Sequence, residues 1–302
     1  MIIVTHNGER WIENCLSSIH QSLIPVKTVI IDNASSDGTL KIVAEKYPEV
    51  TVLRSQQNIG FGKANNIGIR YAMDNQADFL FLLNQDAWIL PDTLQKLLKA
   101  YEQHTHYGIL SPVHLNGTGD RIDRNFFLYT SRNHHENLWY DFFLQNGNDL
   151  YNVESVNAAA WFVSRECIEK AGCFNPIFTH YGEDDNYCDR TLYHGFKIGI
   201  VPAARIYHDR DYDRTEKTDF YTDKQEHLIR SGLLRNVLNI NKEFDRVYAV
   251  GRNVFIKNSI SHFLQLRWRK FGKECVSLFH WRKSKQLFRN NRMLSKQPKA
   301  FY

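Results

Sequence analysis

Nowhere does this chain run for about 18 apolar residues without interruption, so no membrane-spanning helix is expected. It also does not open on a basic segment followed by an apolar core. Met1 leads straight into Ile2-Ile3-Val4, unlike a secretory leader, and the expectation is a cytoplasmic protein. Cysteine is sparse: Cys15, Cys167, Cys173, Cys188 and Cys275 are odd in number and scattered, with no Cys-x-x-Cys pair. That disfavours both a zinc knuckle and a disulfide framework and leaves reduced thiols. No internal repeat is present. Acids are scarce at one end only: from Arg252 onward, 13 lysines and arginines stand against the single Glu274. The residues before Arg252 carry 25 basic and 32 acidic groups, a net −7 that the overall +5 conceals. The split points to an anionic partner for residues 252–302, a membrane surface or nucleic acid.

What is present is a globular composition, 43% hydrophobic, arranged as short apolar runs alternating with helical spacings. Ile2–Val4, Thr28–Ile31, Val50–Leu53 and Phe79–Leu83 read as strands. Trp11, Ile12, Cys15, Leu16 and Ile19 fall at helical spacing, as do Leu94, Leu97, Leu98 and Tyr101 after Pro91. The alternation predicts a mostly parallel sheet covered on both faces, with right-handed crossovers. Residues 108–150 are less regular and are expected to be an insertion of short strands and loops that carries substrate contacts. Ser155–Ser164 reads as a strand, Glu166–Ala171 as a helix, Gly172–Pro176 as a turn, and Glu183–Arg190 as a helix. Lys197–Val201 is a further strand, ahead of Arg205–His208. Beyond Asp219 the pattern turns helical, with Leu228, Leu233, Leu234, Val237 and Leu238 on one helix and Val254–Leu266 on another. Further on, basic residues interleave with Trp268, Phe271 and Trp281. That is the composition of a helix lying among lipid headgroups, the alternative being a solvated helical hairpin packed on the main domain. The expected division is 1–218 and 219–302.

Polar groups collect where the strands end. Leu80–Leu83 reads as a strand buried on both faces, and Asn84-Gln85-Asp86 comes directly after it. Ligands in open α/β sheets sit beyond the carboxyl ends of the strands, so Asp86 is placed for a cation or a phosphate-bearing ligand. Thr5-His6-Asn7, Asp32, Glu183-Asp184-Asp185 and His208 fall at the same presumed edge. Each has a plainer use as well: a turn cap for Asp86 or Asp32, a hydrogen-bonded core position for His208, a helix-dipole partner for the three acids.

Taken in order, these clusters resemble the family 2 glycosyltransferases, particularly the rhamnosyltransferase-like branch. The matching stretches are Ile2–Gly8, Val29–Thr39, Asn58–Asn66, Leu82–Asp86, Gly172–Asn175, Glu183–Asp185 with Arg190, and His208. The resemblance implies a GT-A fold, an α/β, Rossmann-like mixed sheet flanked by helices, here with a C-terminal helical extension. It implies that Thr5 and Asp32 help hold the base and ribose of a nucleotide-sugar. Asn7 and Asn84 count among the binding residues, and Gly62 and Asn65 lie near the nucleotide and sugar at a helix start that admits an anion. Asp86 matches the metal-binding acid of the family's Asp-x-Asp motif. Asn84 replaces the first acid but still offers a carbonyl oxygen, and His208 matches a position that completes the shell around Mn²⁺ or Mg²⁺. Asp184 takes the place of the catalytic base, with Glu183 beside it, and Arg190 is expected to pair with the acids. Asn175 stands where the family usually has Asp, and Ala158–Ala160 replace a more usual Gly-Ala.

The expected activity is inverting transfer of a sugar from a dTDP-rhamnose or UDP-hexose type of donor to a hydroxyl of a glycan or polyprenyl-linked acceptor. Its place would be surface polysaccharide synthesis, peripheral at the inner membrane face. A nicotinamide enzyme, suggested by Gly60-Phe61-Gly62, fails on position, because that fingerprint belongs in the first strand-to-helix turn with a third glycine. Nucleic-acid binding through the basic tail is disfavoured by the acidic strand-end clusters, which would repel a phosphate backbone. A GT-A protein that binds a nucleotide-sugar without catalysis is disfavoured by Asp86, Asp184 and His208 standing together.

Overall fold

Alternate residues of a strand point to opposite faces, and the apolar runs of the first half are continuous because both faces are covered. In the computed structural model, which describes residues 1–131, 138–144, 147–179, 181–210 and 230–302, β1 (Ile2–Thr5) and β4 (Phe79–Asn84) lie side by side and parallel. Ile2, Leu80 and Leu82 enter one core, under α3 (Phe61–Asp74), α7 (Arg165–Ala171) and α8 (Glu183–Tyr193). Ile3, Phe81 and Leu83 enter the other, under α1 (Ile12–His20) and α4 (Thr93–Gln103).

The sheet extends on one side through β2 (Val29–Asp32) to β3 (Thr51–Arg54), both parallel to β1, with α2 (Thr39–Lys46) between them in sequence. On the other side it continues through β8 (Ala160–Ser164), β6 (Tyr107–Asn116) and β9 (Lys197–His208) to β5 (Ala87–Ile89), while β7 (Tyr151–Val153) also pairs with β9. β8 runs antiparallel to β4, and β5 and β7 run antiparallel to β9, so the sheet is mixed rather than mostly parallel. A strand buried on both faces has the same apolar run whichever way it points, so sequence does not report this.

Residues 108–150 are not an insertion of short strands and loops throughout. They begin with ten-residue β6, set between β8 and β9 and buried almost from end to end. Ser111, Pro112 and His114 break its apolar run, and the register with β9 shifts at Pro112, which has no N–H to give the ladder. Helices α5 (Arg124–Ser131) and α6 (Leu138–Leu144) come next. The strand expected over Ser155–Ser164 pairs only from Ala160, and Lys197–Val201 and Arg205–His208 are one strand of twelve residues.

A helical stretch described over 230–238, α9, leads to α10 (Phe244–Leu264), α11 (Trp268–Lys283) and α12 (Lys285–Ser295). Val237, Leu238, Val247, Tyr248, Phe255, Trp281 and Phe288 make a third core, closed by Phe178 from the turn before α8. Glu243 caps α10, accepting from the Asp245 and Arg246 amides at 2.9 and 2.6 Å. The last residues return to the turn after α7: the Cys173 amide donates to Ala300 O at 2.8 Å, and Gly172, at φ +80°, leaves room for that approach where a Cβ would overlap Ala300. Leu228 and the expected boundary at 218/219 lie outside the described residues. Among those described, no helix is long and apolar enough to cross a membrane.

Candidate functional site

Because β1, β2 and β4 are parallel, Thr5, Asp32 and Asn84 arrive at one edge of the sheet. Thr5 and Asp32 are buried and face each other, Oγ1 to Oδ1 at 3.4 Å. Asp32 Oδ1 also accepts from the Ser35 amide at 3.1 Å, and Oδ2 lies 3.9 Å from Arg54 Nε. Asn7, at φ +49°, accepts through Oδ1 from the Ser36 amide at 2.8 Å and so pins the 33–39 turn. Gln85 clamps the His6 backbone from both sides: the His6 amide donates to Oε1 at 2.9 Å and Nε2 donates to His6 O at 3.1 Å. Asn33 ties this turn to the start of α3, donating to Asn58 Oδ1 and accepting from the Ile59 amide.

Asp86 and His208 are joined by sheet register. Ala87 pairs with His208 across β5 and β9, and the Asp209 amide donates to Asp86 O at 2.8 Å. His208 Nε2 therefore sits 3.3 Å from Asp86 Oδ1, with the imidazole fully buried and the carboxylate partly open. Among the described residues, Nδ1 of His208 and the buried Oδ1 of Asn84 have no hydrogen-bond partner. Burial pushes the Asp86 carboxyl up, but His208 and Arg210 outweigh it and hold it below the ordinary carboxylate range. A carboxylate, the imidazole that faces it and a buried amide oxygen are a donor set that fits a divalent cation. Among the described residues no third His, Cys, Asp or Glu joins them.

The acid-bearing helix α8 meets the same edge. Gly62, in the first turn of α3, abuts Phe174 and Glu183: a Cβ there would stand 3.2 Å from Phe174 Cβ and 3.6 Å from Glu183 Cβ. Asn66 fixes Phe174 through a two-way amide clamp, at 2.7 and 2.8 Å, whereas Asn65 is buried and spends its amide on Phe61 O. Asp184 Oδ1 accepts from the Asp185 amide at 2.8 Å and from Tyr129 Oη at 3.4 Å, and Ala158 gives it a backbone hydrogen bond. The adjacent Ala159 O accepts from the Asn84 amide at 2.9 Å, so Asp184 and Asn84 flank one short segment of backbone.

Burial lifts the Asp184 carboxyl above the ordinary range, against those backbone hydrogen bonds and the Arg235 charge. Burial, reinforced by the Asp184 charge, pushes Glu183 up to about 7. The same two causes take Asp185 to about 7, and burial takes Asp189 to about 6, both opposed by Arg235. Arg190 does not pair with these acids. It is fully buried and donates to Ala171 O, Cys173 O and Asn186 Oδ1, holding the 171–173 turn against α8. The guanidinium that does reach an acid is Arg235 of α9, with Nη1 3.0 Å from Asp185 Oδ2. Asn175 is turned away from the acids to Asn291 of α12, the two amides exchanging hydrogen bonds at 2.7 and 3.1 Å.

The structure thus brings Thr5, Asp32, Asn84, Asp86, His208, Glu183 and Asp184 to one side of the sheet and turns Asn7 and Asn65 to local backbone. Sequence reading missed Gln85, Asn66, Tyr129 and Arg235. Gln85 and Asn66 sit inside stretches already singled out, whereas Tyr129 and Arg235 carry no local signal.

A model of the family described as glycosyl transferase family 2 matches residues 1–172. The low-salt glycan biosynthesis hexosyltransferase Agl10 of Haloferax volcanii is 25% identical over 263 residues, which are 85% of this chain and 81% of that protein. The dTDP-rhamnosyl transferase RfbF of Shigella flexneri is 25% identical over 213 residues, 68% of this chain and 67% of its own. Among solved structures, GalNAc-T7 with UDP, GalNAc and Mn²⁺ superposes with a TM-score of 0.60 at 16% identity, over 86% of this chain and 50% of that one. The fold is GT-A. Since the family match covers more than half of the chain, including every strand end from Thr5 to Asp86, the chain belongs to glycosyl transferase family 2, in its rhamnosyltransferase-like branch, and is a glycosyltransferase.

Proposed function

We propose that this glycosyltransferase moves a hexosyl group from a nucleoside-diphosphate sugar of the dTDP-rhamnose or UDP-hexose type to a hydroxyl of a glycan or lipid-linked acceptor, with inversion at the anomeric carbon. The observation that carries the reading is the shared backbone segment at Ala158–Ala159, which sets Asp184 beside the strand end that bears Asn84 and Asp86. Thr5 and Asp32 form the floor on which base and ribose rest, and Gly62 lets α3 and α8 close together beside them. Asp184, lifted by burial, is the base: it accepts the proton of the acceptor hydroxyl as that oxygen attacks. Tyr129 and the Asp185 amide hold the carboxylate in place during the transfer. Glu183 stands next to it, buried and with Oε2 unpartnered among the described residues, and is available to the acceptor. Asp86 and His208, with the Asn84 oxygen, would hold Mn²⁺ or Mg²⁺. Such an ion supplies neutralisation of charge on the departing diphosphate.

We place the domain division at 218/219, with side-chain contacts crossing it at Arg235–Asp185 and Asn175–Asn291. Residues 252–302 are read as facing an anionic membrane surface, which places surface polysaccharide synthesis at the inner face. Screening dTDP-rhamnose and a set of UDP-hexoses for thermal stabilisation, with and without Mn²⁺, identifies the donor, and NMR of the product gives its anomeric configuration. Asp184→Asn should lower turnover by roughly 10² to 10⁴ while leaving donor affinity intact. Retention at the anomeric carbon, or unchanged turnover in Asp184→Asn, would sink the mechanism.

A further inference from the structure

The two ends of the α10–α11 hairpin are built differently. At the base, Tyr248 stacks on Trp281 at 5.8 Å between ring centres, Trp281 Nε1 donates to Tyr248 O at 3.2 Å, and Phe255 and Phe288 close the packing. At the tip, all eight residues from Phe263 to Lys270 are exposed or half-exposed. They include Phe263 at 48%, Leu264 at 74%, Leu266 at 70% and Trp268 at 57% of full exposure. Phe263, Trp268 and Phe271 gather into one aromatic cluster, with centres 5.5 to 6.4 Å apart, separate from the third core. Leu266 holds φ +54°, a conformation that costs a side chain and that turns the chain so that Leu264 and Leu266 both stand clear. Around them are Arg267, Arg269, Lys270 and Lys273, none of which pairs with a carboxylate among the described residues; Glu274, the single acid of the segment, is taken by Arg230 at 3.7 Å.

We propose that this tip, residues 263–273, is a wedge that enters the headgroup layer of an anionic lipid bilayer. The proposal sharpens the membrane half of the function above and is independent of the transfer chemistry. A contiguous apolar patch rimmed by cations matches the two layers of such a surface, acyl chain below and phosphate above. A second copy of the chain would bring four cations against four. A nucleic acid would use the aromatic rings but leave Leu264 and Leu266 in water, since aliphatic side chains offer no stacking face.

The test uses the full chain and vesicles of phosphatidylcholine, alone or mixed with phosphatidylglycerol. Co-sedimentation should require phosphatidylglycerol and weaken with salt, and brominated lipid should quench fluorescence that Trp268→Phe removes. Arg267→Gln/Arg269→Gln/Lys270→Gln should reduce partition by on the order of a hundredfold. Leu264→Ser/Leu266→Ser should reduce it at least about tenfold, with unchanged thermal midpoints in both. Binding that survives in both variants places the contact elsewhere and overturns the tip assignment while membrane association stands. Absence of binding by the parent chain overturns both. A dimer in sedimentation that Trp268→Ser dissolves, or tip-dependent binding to oligonucleotides in place of vesicles, overturns the proposal in favour of those partners.

Discussion

Arg235 Nη1 lies 3.0 Å from Asp185 Oδ2, so a guanidinium from the helical extension neutralises an acid one residue away from Asp184. The pair is partly open to solvent, so its own contribution to stability is modest. Its effect falls on the neighbouring carboxyls, since Arg235 opposes the upward push of burial on Asp184 and Asp185 and, together with Lys242, on Asp189.

Replacing Arg235 with Gln removes that opposition. The acid limb of the pH–rate profile should then move to higher pH, with kcat reduced several-fold at neutral pH and KM for the donor unchanged. Arg235→Lys should restore most of the profile. A profile that stays in place in Arg235→Gln would show that the contact is structural only.

Glu183 gives a stability signature with a definite sign. Its folded value is raised to about 7 from an ordinary 4.5, so the folded state holds this proton more tightly than the unfolded chain does. The resulting stability is fully present below pH 4.5 and is lost as pH rises through about 7. Asp185 and Asp189 act in the same direction, while buried His114, whose value is lowered by burial, acts in the opposite one at acid pH. The difference between parent and Glu183→Gln isolates the one group. Glu183→Gln should gain thermal stability over the parent at pH 8 and keep only a small part of that gain at pH 5; a constant difference across that range would refute the assignment.

Asp86 and His208 should show themselves as ligands without any turnover measurement. Manganese bound in the presence of UDP or dTDP, counted by electron paramagnetic resonance, should fall at least roughly tenfold in affinity in His208→Ala and in Asp86→Asn. Chelation should lower the thermal midpoint of the nucleotide complex and leave that of the free protein where it was. Equal manganese binding in parent and both variants would remove the pair from the metal site.

The Asn175–Asn291 exchange ties the turn before α8 to α12 in a buried position. Either alanine substitution strands the opposite amide and should cost about 1 to 3 kcal/mol in denaturant unfolding. The double variant should cost clearly less than the sum of the two, because neither amide is then left unpaired by the other. Strict additivity would mean that the pair does not form.

Much of this molecule is written locally. The continuous apolar runs of β1, β2 and β4 are forced by burial on both faces, and a parallel set of strands must deliver the residues after each run to one edge. Thr5, Asp32 and Asp86 were therefore legible as strand-end groups. The helical spacing of Trp11–Ile19 and Leu94–Tyr101 likewise comes from burying one face of a helix. Strand direction is absent from such runs, so the antiparallel course of β8, expected only as a strand, appeared in three dimensions alone. β6, interrupted by Ser111, Pro112 and His114, read as part of an insertion of short strands and loops for want of a central position that only the assembled sheet supplies. Pairing between distant side chains was equally out of reach. Arg190 spends its charge on buried carbonyls near its own helix because the 171–173 turn folds over it, while Arg235, 50 residues beyond Asp185, takes the acid instead. Sequence determined which groups stand at the strand ends. Tertiary packing decided which of them meet, because charge and hydrogen bonding act over a few ångströms of space whatever the separation along the chain.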